Sequence, residues 1–157
     1  MDYLTLKWIH IISSTFLFGT GVGSAFYKFL ADRGGNVRHI AETNRHVVLA
    51  DWLFTTPTFI IQPLTGVMLA LALGFPLDTP WLLASMGFYL LTGLCWIPVV
   101  LLQIRMQTLA WAALHAGIPL GDDYWRMARQ WCWLGVPAFI AMVIIFYLMV
   151  YKPPLWA

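Results

Sequence analysis

The chain has 157 residues, of which 61% are hydrophobic and only 10% charged, and its formal net charge is +2. Such a composition excludes an ordinary soluble domain of this length. The few basic residues are split between apolar segments without a basic run, so they exclude a nucleic-acid surface as well.

Four apolar stretches reach the roughly 20 residues needed to cross a hydrocarbon core: about 4–27, 47–73, 81–104 and 131–151. The expectation is one all-α domain over 1–157, a transmembrane four-helix bundle. The first stretch is preceded by Met1 and Asp2, exceeds the h-region of a signal peptide and is followed by basic residues, so it reads as a retained span. It carries a line of polar or small residues: His10, Ser13, Ser14, Gly21, Ser24 and Lys28.

The first loop, "ADRGGNVRHIAETNRH", is the only long polar segment. Gly34 and Gly35 break the first helix there, and "NVRHIAETNRH" is expected to form a short interfacial helix. The second apolar stretch contains "DWLFTTPTFIIQPLTG", in which Asp51, Thr55, Thr58, Gln62 and Thr65 recur at spacings of 4, 3, 4 and 3. That spacing places them on one helical face. Polar groups in hydrocarbon are costly unless paired, so this face is expected to turn into the bundle.

The second loop, "GFPLDTP", has neither Lys nor Arg, whereas Lys28, Arg33, Arg38 and Arg45 flank the first loop and Arg105, Arg126 and Arg129 the third. Basic residues favour the cytoplasmic side, which puts both termini on the outer, periplasmic side. The third helix repeats the polar pattern with Ser85, Tyr89, Thr92, Trp96 and Gln103, and is expected to continue to about 115, with Gly117 as its end. Asp122 or Asp123 is expected to cap the fourth helix. Cys95 and Cys132 should differ in depth by about 10 Å at ~1.5 Å per residue, too far for a disulfide, and no ligand spacing points to a metal.

Pro57, Pro98 and Pro137 lie on the same side of their helix midpoints, level with Gly19, Gly21 and Gly23. Each interior proline deletes a backbone hydrogen bond and bends its helix, leaving the carbonyls of Leu53, Leu94 and Trp133 without their usual donors. Coincident bends would splay the inner half of the bundle into a vestibule lined by Asp51, Thr55, Thr58, Gln62, Ser24, Lys28, Gln103 and Arg105, with Asp51 able to pair with Lys28 or Arg105. His10 is the only histidine within a span and stands at the depth of Thr65, Tyr89 and Tyr147. An intramembrane histidine can ligate a metal or haem, transfer a proton, or tie helices together.

Together the segments "LKWIHIISSTFLFGTGVGSAFY", "VLADWLFTTPTFIIQPLTG" and "CWIPVVLLQIRM" resemble a bacterial family of four-helix inner-membrane proteins known as a domain of unknown function. More distantly, the first helix is similar to that of the membrane protoporphyrinogen oxidases, and the layout to that of the copper-resistance D-type membrane domain. The oxidase resemblance implies haem b or porphyrin at His10. It does not imply oxidase chemistry, because that family's helix-3 lysine has no counterpart among Lys7, Lys28 and Lys152.

The resulting expectation is a multi-pass protein of the bacterial inner membrane. Its interior would bind haem, porphyrin, quinone or another hydrophobic redox ligand, with His10, Thr65, Tyr89 and Tyr147 at the cofactor. The alternative is a cofactor-free subunit or scaffold that associates, also with copies of itself, through small and polar helix faces. No catalytic residue is assigned.

Overall fold

The computed structural model describes residues 2–155, and among these the regular structure is entirely helical, with no strand. The elements are α1 (Tyr3–Gly34), α2 (Val37–Ala50), a wide π turn (Asp51–Thr55), α3 (Thr56–Ala72), α4 (Pro80–Ala116) and α5 (Asp122–Tyr151). Since α2, the π turn and α3 are continuous, four helices are long and apolar enough to cross a membrane.

The helices outrun the apolar stretches at the basic end. The second runs 36 residues, about 54 Å at a rise of 1.5 Å per residue, against roughly 30 Å of hydrocarbon. The segment expected as a separate interfacial helix is therefore the beginning of the second span. The long first loop shrinks to a turn in which Gly35 takes a left-handed φ of 69° and Asn36 caps α2 by accepting from the His39 amide at 3.1 Å. Gly117 ends α4 as expected, with φ 65°. Neither Asp122 nor Asp123 caps α5: Gly121 holds that position and the two carboxylates occupy the first turn, where they still oppose the helix dipole.

Close packing is concentrated where the helices project at the basic end. Ala31 of α1, Ile40 and Ala41 of α2, Met106 and Ala110 of α4, and Tyr124 of α5 form a buried core there. The alanines permit close helix approach and Ile40, Met106 and Tyr124 fill the space between. Further along, the backbones approach closely within two pairs, α1 with α3 and α4 with α5. Single aromatic side chains bridge the pairs. Phe18 of α1 meets Phe139 and Phe146 of α5 at 5.6 and 5.2 Å, while Phe59 of α3 stacks on Tyr89 and Trp96 of α4 at 4.9 and 4.8 Å.

The π turn makes this arrangement possible. Before it the second span packs chiefly on α4, and beyond it on α1. One extra residue in a helical turn shifts the facing direction by about 100°, which a regular helix could not do. It sits just ahead of Pro57, whose missing N–H already breaks the ladder.

Candidate functional site

Two polar clusters and one cavity account for most of the buried polarity. In the first cluster, His10 Nδ1 lies 2.8 Å from Thr65 Oγ1 and Nε2 lies 3.2 Å from Gln62 Nε2. Thr65 donates its only hydroxyl proton to the Ile61 carbonyl at 2.8 Å. It must then accept from His10 Nδ1–H, which leaves Nε2 to accept from the Gln62 amide. Ser13 completes the set by donating to Gln62 Oε1. Gly66 lets the imidazole lie against α3, since a Cβ there would stand 3.3 Å from His10 Cε1.

Both imidazole nitrogens are thus engaged in holding α1 to α3. A haem iron would have to displace one of these bonds, so the residues around His10 do not fit an axial ligand. The other expected members of that site separate. Tyr89 donates to the Phe59 carbonyl at 2.5 Å, and Tyr147 is exposed and stacks on Tyr151 at 4.6 Å. The Tyr89 bond has a clear cause, because Pro63 removes the N–H that would otherwise reach Phe59.

The second cluster corrects the expected pairing of Lys28. Lys28 is 1% exposed and donates to Asp32 Oδ2 at 2.8 Å and to the Tyr124 hydroxyl at 3.0 Å. Tyr124 donates onward to Asp32 Oδ1 at 2.6 Å, and Asn44 donates to the Tyr124 oxygen at 2.9 Å. The ammonium also lies 5.2 Å from the Tyr124 ring centre and 5.7 Å from that of Trp131. Lys28 is thereby committed to the basic-end core, and Arg105 is exposed. Neither pairs with Asp51 among the described residues.

The cavity lies between the two helix pairs and encloses about 460 Å³, within the range of small-molecule sites. All four spans contribute, and the lining brackets the three prolines: Thr55 and Phe59 flank Pro57, Trp96 and Val99 flank Pro98, and Val136 and Ala138 flank Pro137. Of the residues expected to line a vestibule, Ser24, Asp51, Thr55 and Gln103 do so. Thr58 turns back to the Phe54 carbonyl at 2.5 Å, Gln62 belongs to the His10 cluster, and Lys28 and Arg105 lie elsewhere.

The lining is mostly apolar, yet it holds unsatisfied polar atoms. Asp51 is 6% exposed. Its Oδ1 accepts from Thr55 at 2.8 Å, while Oδ2 has no partner. Gln103 Oε1, Trp96 Nε1 and Trp131 Nε1 are also buried without a partner, and all four residues line this cavity. Buried polar atoms are normally bonded, so four unpartnered atoms among the residues that line one space set this region apart from the rest of the bundle. A second groove of about 530 Å³ runs along the outside of α1 and α2 past His39 and His46, but none of the orphaned atoms belongs to its lining.

A family model described as "Predicted integral membrane protein (DUF2269)" matches residues 4–153. The chain belongs to this family. No curated protein and no solved structure matches it. Family membership and the four apolar helices make it a multi-pass integral membrane protein. Sequence reasoning missed Trp131, Asp32, Asn44 and Tyr124. The Lys28 and Asp32 spacing of four was a readable signal, whereas Asn44 and Tyr124 reach the pair only through tertiary packing.

Proposed function

We propose that this family member binds a lipid-soluble small molecule with a polar head in the cavity between its helix pairs. The supporting observation is that Asp51, Gln103, Trp96 and Trp131, each with a buried and unpartnered polar atom, all line one mostly apolar space. Small side-chain rotations would bring these atoms, whose unpartnered burial costs on the order of 1–3 kcal/mol each, to an occupant's polar head. Apolar walls accept the body of such a molecule from the bilayer, and the polar atoms fix its head. The inner-membrane location and outward termini implied by the basic loops would put Asp51 near the cytoplasmic boundary.

Gly135 lines the cavity, and a Cβ there would meet nothing within 4 Å. Gly135→Leu therefore fills the space without a backbone clash. Protein purified in lipid nanodiscs, extracted with organic solvent and analysed by mass spectrometry should yield a molecule at near-stoichiometric level that the variant lacks. Identical extracts containing bulk lipid alone would refute the reading.

A further inference from the structure

Within that reading, the cavity's polar atoms are unequal. Its one formal charge is Asp51, and no Lys, Arg or His pairs with it among the described residues. The two cations expected as its partners are otherwise disposed: Lys28 on α1 is held by Asp32 and Tyr124, and Arg105 on α4 is exposed. From α5 the titratable lining group is the Cys132 thiol. Beside Asp51 lies the Gln103 side chain, whose amide N–H faces the carboxylate and whose Oε1 has no partner. Phe59, Trp96 and Trp131 also line the cavity; Phe59 stacks on Trp96, and the Lys28 ammonium lies over the Trp131 ring.

We propose that the occupant is a lipophilic monocation, an amine or onium compound, with Asp51 as its counter-ion. A carboxylate without a cationic partner suits a donor-bearing ammonium, because charge-assisted hydrogen bonds are roughly twice as strong as neutral ones. A ligand carrying only acceptors, such as a quinone, could accept from the indole N–H groups but would leave Asp51 without a counter-charge. A carboxylate buried without a counter-charge is costly, and a cationic ligand removes that cost.

The test is equilibrium dialysis of radiolabelled tetraphenylphosphonium against nanodiscs of phosphatidylcholine, with and without the full chain. Unlabelled triphenylphosphine oxide, of similar shape and no net charge, serves as competitor. The expected result is saturable binding near one per chain, weak competition by the neutral oxide, and loss of binding in Gly135→Leu. Asp51→Asn should weaken binding on the order of tenfold or more, and Asp51→Glu should recover part of it. Equal competition by the oxide, or wild-type affinity in a folded Asp51→Asn protein, would overturn the cation assignment and leave the cavity reading standing. If neither probe binds saturably, the cation assignment also fails, and the extraction experiment decides the cavity separately. Should Asp51→Asn not fold, the charge preference of the wild-type protein still decides.

Discussion

Replacing Tyr89 by Phe isolates one hydrogen bond, because the ring that stacks on Phe59 is retained and only the hydroxyl is lost. That hydroxyl donates at 2.5 Å to the Phe59 carbonyl, the group that Pro63 deprives of its helical donor. Leaving such an acceptor unsatisfied costs about 1–3 kcal/mol, while interhelical bonds in membranes average nearer 0.6 kcal/mol. The expected loss for Tyr89→Phe is therefore about 1–1.5 kcal/mol. Pro63→Ala restores an N–H that can reach the same carbonyl, so in that background the hydroxyl should be worth about 0.5 kcal/mol or less. The four proteins form a double-mutant cycle, measured by SDS unfolding in mixed micelles with tryptophan fluorescence as the signal. A coupling energy below about 0.3 kcal/mol, the scatter expected of independent sites, would refute the claim that the tyrosine replaces the proline's missing donor.

Lys28→Met should destabilise the protein by about 3 kcal/mol or more, since Asp32 would remain partly buried without its cation, whereas Lys28→Met with Asp32→Leu should recover much of this; equal losses in the same unfolding assay would contradict the pairing. Gly93→Ala should cost about 1–3 kcal/mol, because the new Cβ would stand 2.9 Å from Phe59 Cζ, and Phe59→Leu should lower that cost when the two are combined. His10→Ala should lower stability without removing any visible absorption; a Soret band in protein from cells given a haem precursor, lost in the variant, would restore the haem reading. Hydrogen bonds from the Thr5 amide and hydroxyl hold the Asp2 carboxyl below the ordinary value of 3.8. The cap is therefore fully present above that pH and is lost as pH falls through the lower folded value. Amide exchange at Thr5 should accelerate across that window and not at neutral pH.

The four spans were legible because hydropathy and length determine them almost alone. The polar face of the second span was legible too, but its single helical period hid a change of direction. The π turn sets the part of the span before it chiefly against α4 and the part beyond it against α1, so that Asp51 and Thr55 face the cavity and Gln62 and Thr65, two turns further along, meet His10. The apolar stretch ends at Tyr27, so hydropathy alone leaves Asp32 outside the span and Lys28 facing Asp51, although the glycine pair at 34 and 35 marks the helix end. In the structure the helix runs to Gly34, and Asp32 lies one turn beyond Lys28. Hydropathy marks the membrane's edge, not the helix's end, so it could not reveal a buried core built from the projecting turns. The orphaned indoles were illegible for a different reason: a tryptophan near a boundary has the same sequence signature whether it anchors in the interface or faces a cavity.

The π turn also limits how the gene can change length. Deleting one residue from Asp51–Thr55 would let the second span close into a regular helix, with every backbone bond improved locally except at the prolines. Its two halves would then turn about 100° relative to each other. Either Ile40 and Asn44 would leave the core at the basic end, or Gln62 and Thr65 would leave His10. A chain with better helix geometry would thus be the worse protein, and homologues should vary in loop length far more readily than in the residue count of this span.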